Sequence, residues 1–165
     1  MAEARYQPGD LASADDPRGG QDQYAQALSR TLLHAFYWLD DGLQAYMRRQ
    51  KGFSLPRAQS MMMVCIGDGI HRQSDMARHL GVSKQAVQQA LKPLVAKGLV
   101  TIQADPLNGR QKRVLFTEKG LEMRDVARRG LLELESELSR RIGPRRLAAL
   151  HDALNAPWGP VPEGE

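Results

Sequence analysis

Lys84, Gln85, Gln88, Gln89 and Lys92 fall within the single stretch Lys84-Gln-Ala-Val-Gln-Gln-Ala-Leu-Lys92. Read with helical periodicity, Val87, Leu91 and Leu94 with Ala86 and Ala90 face inward, and the amide and ammonium side chains face out. A glutamine amide both donates and accepts, so it can bond the N6 and N7 edge of an adenine. Such a bidentate pair is worth ~1–3 kcal/mol against the wrong base. Lys84 and Lys92 suit phosphates, which fix position without reading sequence. Ser83 precedes the stretch, where its hydroxyl can accept an orphan amide of the first turn, and it joins the DNA-facing set. Three glutamines on an exposed face are also what a merely solvated helix carries, so the chemistry depends on what holds them.

The flanking residues supply that holder. Gln73-Ser-Asp-Met-Ala-Arg-His-Leu80 reads as a helix that Gly81 breaks, ahead of the glutamine helix. Pro93 removes a backbone donor and is expected to kink or break that second helix. Gly98-Leu-Val-Thr-Ile102 and Val114-Leu-Phe116 read as strands, joined by the turn Asp105-Pro-Leu-Asn-Gly109 and the basic run Arg110-Gln-Lys-Arg113. Helix, tight turn, helix, strand, basic loop and strand make a winged helix-turn-helix, which sets one helix in the major groove of double-stranded DNA and a charged loop beside it. Pro106 fixes the turn, and Asn108 and Gly109 tolerate positive φ, so the wing tip projects. Arg110 at that tip suits a narrow minor groove. Lys112 and Arg113 alternate around the strand, and Lys112 is the one on the side of Arg110. A hairpin charged only for solubility is the plain alternative.

Charge is concentrated where this reading needs it. Residues 71–119 hold nine Lys or Arg against three acids, a net +6, whereas the remainder holds 14 basic and 16 acidic residues, a net −2. A localised positive field is what phosphate neutralisation requires. No Ser/His/Asp set, phosphate-binding glycine loop or metal-ligand spacing occurs in a plausible context, so an enzyme, a cofactor or a metal site is not expected. The single cysteine, Cys65, excludes an intramolecular disulfide framework. The longest apolar run, Met61 to Ile66, is far short of a membrane span, and residues 1–20 lack the apolar segment of a secretory signal. A cytoplasmic protein without membrane association is expected.

Around the module, the chain reads as mainly α with a small β-wing, a winged helix-turn-helix carried on a helical dimerisation layer. Residues 1–20, rich in Pro and Gly, read as a flexible arm. From Gln21 to about Gln50, Tyr24, Leu28, Leu32, Ala35, Leu39, Leu43 and Tyr46 form one stripe at helical spacing. Leu33, Phe36 and Tyr37 widen it beyond what one small core needs. Gly52 ends that helix, and Pro56 suits the first turn of a second one reaching Ile66. Thr117 caps a long helix over 118–141, and Gly143-Pro144 separates it from a last helix to Asn155, with a loose tail over 156–165. Residues 21–52 and 118–155 thus form the dimerisation layer of a single domain over 21–155, and 55–117 the DNA-binding part. A symmetric dimer presents two reading helices, so the expected operator is an inverted repeat with half-sites ~10 base pairs apart.

These residues resemble the MarR family of bacterial transcriptional regulators. Leu55-Pro-Arg-Ala-Gln59 is similar to the family's opening of the second helix, and Asp75-Met-Ala-Arg-His-Leu-Gly-Val-Ser83 to its helix-turn. Leu94-Val-Ala-Lys-Gly-Leu-Val100, the wing segment Asp105-Pro-Leu-Asn-Gly-Arg110 and Val114-Leu-Phe-Thr-Glu-Lys-Gly120 continue the pattern in register, over about residues 22–155. The resemblance implies an obligate homodimer with interlocked first, fifth and sixth helices, and Arg110 as the minor-groove residue. Asn108 stands where the family often has Asp, so the wing ion pair rests on Asp105 or is absent.

The resemblance also implies a repressor released by a small phenolic or aromatic carboxylate bound between the two layers. His34 and Trp38 on the first helix, with Met62 and Cys65 on the second, are the candidate contacts; ordinary core packing is the competing explanation. Some relatives sense oxidants through cysteine, but Cys65 lies in an apolar run and has no second thiol to resolve a sulfenic acid. A DNA-binding protein without ligand control, and a winged helix used for protein contacts, are the other readings.

Overall fold

The computed structural model describes residues 27–105 and 108–162, with side chains at all of them except 108–110. The elements are α1 (Leu28–Lys51), α2 (Arg57–Gly67), α3 (Gln73–Leu80), α4 (Lys84–Ala96), β1 (Val100–Asp105), β2 (Asn108–Phe116), α5 (Glu118–Ile142) and α6 (Pro144–Asn155). The expected class holds: a mainly helical chain with one two-stranded antiparallel wing. The expected arm over 1–20, the first residues of the long helix and the tip residues Pro106 and Leu107 lie outside the described residues.

Local signals set most boundaries. Gly52 adopts φ 72° and gives its N–H to the Arg48 carbonyl, while Arg48, Arg49 and Lys51 face the negative end of the α1 dipole. Gly81, at φ 65°, closes α3 in the same way, with Val82 N–H on the Ala77 carbonyl at 3.0 Å. Pro56 stands one residue before the first turn of α2, where its carbonyl accepts from Gln59 at 2.8 Å and Ser60 at 3.1 Å.

Two expectations are corrected. α4 does not stop at Pro93 but continues to Ala96. The missing N–H forfeits one bond, whereas stopping there would release Leu94, which is fully buried; burying a leucine is worth ~1.5–3 kcal/mol. The helix then closes through Lys97 N–H to the Pro93 carbonyl and Leu99 N–H to the Leu94 carbonyl. That closure uses Gly98 and Leu99, so β1 begins at Val100 rather than Gly98 and extends to Asp105.

The core lies between α2, α3, α4, the base of the wing and the first half of α5, with Met76, Val87, Leu94, Leu99 and Val114 at 0% exposure. β1 and β2 pair from Val100↔Phe116 to Ala104↔Lys112, with an irregularity before Asp105. α1 packs on α5 through reciprocal notches. A Cβ on Gly42 would stand 2.6 Å from Leu134, and one on Gly130 would stand 2.6 Å from Tyr46. Only part of the α1 stripe enters this core: Tyr46 is buried, Leu39 and Leu43 are half-buried, and Leu28 and Ala35 are exposed.

Candidate nucleic-acid interface

α4 is fixed from behind and capped in front. Ser83 Oγ accepts the Ala86 N–H at 3.1 Å, the cap expected from its position. Val87, Ala90, Leu91 and Leu94 hold the opposite face in the core. Lys84, Gln85, Gln88, Gln89 and Lys92 are all exposed. At about 100° per residue, Gln85, Gln88, Gln89 and Lys92 occupy one arc opposite Val87 and Leu94. Three amides and an ammonium therefore stand on one free face of a helix whose other face cannot move without opening the core. Ala86, expected inward, is exposed instead; one position from Val87, it lies past the edge of the buried arc.

The wing carries the rest of the candidate set. Lys112 is exposed and Arg113 half-buried, so Lys112 is the one that protrudes. It shares a strand face with the fully buried Val114, two residues nearer the base. β2 thus leaves the core at Lys112. The side chain of Arg110 lies outside the described ones, although its backbone is part of β2.

Asp105 is 2% exposed, and its Oδ2 accepts from Arg72 Nη2 at 2.8 Å and Nε at 3.2 Å. Of the two expectations for the wing, an ion pair on Asp105 or none, the structure has a pair on Asp105, with Arg72 as a partner that the sequence does not mark. The two are 33 residues apart, and no local pattern marks the pair. At the other end of the wing, Thr117 Oγ1 accepts the Gly120 N–H at 3.0 Å and donates to the Gly98 carbonyl at 2.6 Å, while Lys119 Nζ donates to the Lys97 carbonyl at 2.8 Å. These bonds fix the start of α5 to the end of α4.

The candidate ligand residues separate into two kinds. Met62 and Cys65 are 3% and 1% exposed and belong to the core. Burial, with Asp68 nearby, pushes the Cys65 thiol above its ordinary pKa, against a slight opposing effect of its backbone hydrogen bond. His34 and Trp38 are half-buried on α1, and the Arg141 guanidinium lies 5.7 Å from the Trp38 ring centroid. Nearby, Arg57 stacks on Tyr37 at 4.3 Å and bonds the buried Asp40 at 2.8 Å, tying α2 to α1. Gln44 adds to this tie: its Oε1 accepts Leu55 N–H at 2.8 Å and its Nε2 donates to Ser60 Oγ at 3.0 Å. Among the described residues no three His, Cys, Asp or Glu side chains converge on a metal position, and no described helix is long and apolar enough to cross a membrane.

Residues 51–111 match the sequence model of the MarR family. No curated protein matches the chain significantly. Among solved structures, wild-type apo MarR from E. coli is 22% identical with a TM-score of 0.65, covering 78% of this chain and 94% of its own. A MarR transcriptional regulator from Methanosarcina mazei Go1 is 19% identical with a TM-score of 0.63, over 77% of this chain and 90% of that one. The transcriptional repressor CouR, bound to a 23-mer DNA duplex, is 20% identical with a TM-score of 0.63, over 82% and 94%. Residues 51–111, from the end of α1 into β2, therefore carry the MarR-family sequence pattern, and the chain shares its fold, over 78% of its length, with MarR from E. coli.

Proposed function

We propose that the chain is a dimeric, sequence-specific DNA-binding transcriptional regulator that reads the major groove with α4 and the minor groove with its wing. The exposed Gln85, Gln88 and Gln89 face, flanked by Lys84 and Lys92 on a helix locked from behind, carries this reading. Ser83 sits at the helix end that meets the groove; Lys112 and Arg110 extend the contact along the wing. The likeness to a repressor solved on a DNA duplex supports the same docking mode.

Dimerisation through residues 21–52 and 118–155 is supported by leucines left uncovered there in a single chain. Leu28 is 59% exposed and Leu132 53%, with Leu33, Leu131, Leu150 and Leu154 also exposed. Two protomers then address an inverted repeat with half-sites ~10 base pairs apart. Repression, with release by a small aromatic acid, is what the resemblance to the family implies. Such a ligand would meet His34 and Trp38 first, since Met62 and Cys65 lie deeper, and Arg141 beside Trp38, which bonds Glu137 through Nε at 2.6 Å, would offer its remaining donors to the ligand's carboxylate. The regulator acts in the cytoplasm without catalysis.

Selection of binding sites from a random duplex pool, at fixed physiological salt, tests the reading. An enriched inverted repeat of that spacing is the expected result. Salt-sensitive binding without enrichment would refute sequence-specific regulation.

A further inference from the structure

We propose that Arg72 is a positioning residue for the wing: its side chain clips β1 to the start of α3, beside the His71 carbonyl that holds β2, and thereby sets where the wing stands relative to α4. The proposal rests on the reading of α4 and the wing as DNA-facing elements.

A two-stranded hairpin has little stability of its own, so the direction in which this one points depends on what grips its base. Arg72 is the residue immediately before α3, in the N-cap position, yet its side chain makes no cap. It turns instead to Asp105, the last residue of β1, and delivers Nη2 and Nε to the same carboxylate oxygen at 2.8 and 3.2 Å. Its backbone meanwhile bridges Arg113 on β2. The neighbouring His71 carbonyl accepts the Val114 N–H at 2.8 Å.

Two successive residues thus hold the wing, Arg72 taking β1 by its side chain and His71 taking β2 by its carbonyl. They do so at the point where the strand register becomes irregular and the chain departs for the tip. Asp105 is almost fully buried, and a buried carboxylate needs donors to stay ionised there. α3 also packs on α4, so the clip refers the wing to the same rigid unit that carries the glutamine face. Because the Arg72 side chain is itself 42% exposed, direct contact with a phosphate is the competing role.

The test uses the full chain with the operator selected above, and the variants Arg72→Gln, Arg72→Lys, Asp105→Asn and a wing-blunted Arg110→Ala/Lys112→Ala. Arg72→Gln and Asp105→Asn should each weaken binding about tenfold, with loss of minor-groove protection beside each half-site while major-groove protection at the α4 contacts persists. Arg72→Lys should fall between them and wild type, since a single ammonium holds Asp105 without the two-donor grip. In the wing-blunted background Arg72→Gln should cost nothing further.

Amide hydrogen exchange of the free protein supplies a readout independent of DNA. Residues 108–113 should exchange faster in Arg72→Gln and Asp105→Asn, with α4 amides unchanged. Unaltered exchange in the wing would overturn the proposal. So would an Asp105→Asn protein that binds as tightly as wild type, or an additive loss in the wing-blunted background, because each identifies Arg72 as a direct phosphate contact. Absence of any DNA footprint for wild type refutes the DNA reading instead, and the exchange data still decide whether Arg72 holds the wing.

Discussion

Gly120→Ala offers a sharp structural perturbation because the obstacle is backbone, not a flexible side chain. A Cβ at this position would lie 1.9 Å from the Leu99 carbonyl oxygen and 3.2 Å from the Phe116 ring. Contacts under 3.0 Å are essentially never made by real Cβ atoms, so the first turn of α5 must move away from Leu99 by about 1 Å. That displacement cannot spare the Thr117 N–H bond to the same Leu99 oxygen, already 3.2 Å long. Forcing a methyl into a packed site costs ~1–3 kcal/mol, and a lost hydrogen bond adds about 1 kcal/mol. The better helix propensity of alanine returns ~0.5–1 kcal/mol. The net expectation is a destabilisation of ~1–3.5 kcal/mol. At ~2–4 °C per kcal/mol for a chain of this size, Tm should fall by ~2–14 °C. Thermal melts must be compared at one protein concentration, since the Tm of the proposed dimer depends on it. Gly67→Ala is the control: its Cβ would meet only the Arg124 Nε, at 3.7 Å, so it should show no loss and at most the ~0.5–1 kcal/mol gain of alanine's helix propensity. A Gly120→Ala protein melting with wild type would refute the close approach of α5 to the α4–β1 turn.

The other expectations concern the reading head and the core. Gln85→Ala, Gln88→Ala and Gln89→Ala should each cost ~1–3 kcal/mol of operator affinity where the amide reads a base, with non-specific binding unchanged. Equal losses on operator and random duplex would remove the base-reading role. Ser83→Ala deletes the α4 cap and should cost about 1 kcal/mol in urea unfolding; no change would mean the cap is idle. Cys65 should react slowly with a thiol reagent in the native protein and fast in denaturant, because burial raises its pKa. The sign for stability follows: the folded state favours the neutral thiol, so this contribution is complete below the ordinary value of 9.0 and is lost as pH rises through the folded value. Rapid native labelling at neutral pH would refute the burial and reopen a redox role.

What the sequence discloses here is what is decided locally. Gly52, Gly81, Ser83, Thr117 and Pro144 act through their own backbone torsions or a hydroxyl three residues from its target, so their helix ends are readable without a fold. The exposed face of α4 is readable for a related reason, because 3.6-residue periodicity separates Val87, Leu91 and Leu94 from the glutamines. The missed features depend on neighbours distant in sequence. Pro93 stays helical because Leu94 is buried against other elements, and Ala86 is exposed because the core closes only from Val87 onward. Arg72 reaches Asp105 across a fold that brings α3 to the wing, and a lone arginine before a helix gives no sign of that.

The same contacts determine how the two layers could influence each other. α5 has 25 residues, a length of about 37 Å. Its first turn is joined to the end of α4 by Thr117, Lys119 and the Gly120–Leu99 approach. Its later turns are keyed to α1 by Gly130 against Tyr46 and Leu134 against Gly42. Arg141, in its last turn, lies over Trp38. A helix held at both ends transmits a tilt rather than absorbing it, and about 10° at the α1 end displaces the other end by ~6 Å. In the proposed dimer that displacement enters directly into the separation of the two α4 helices, which must match half-sites ~34 Å apart. A ligand at Trp38 and Arg141 can therefore weaken operator binding only by favouring a different α1–α5 crossing. One that bound both crossings equally would leave operator affinity unchanged, however tightly it bound.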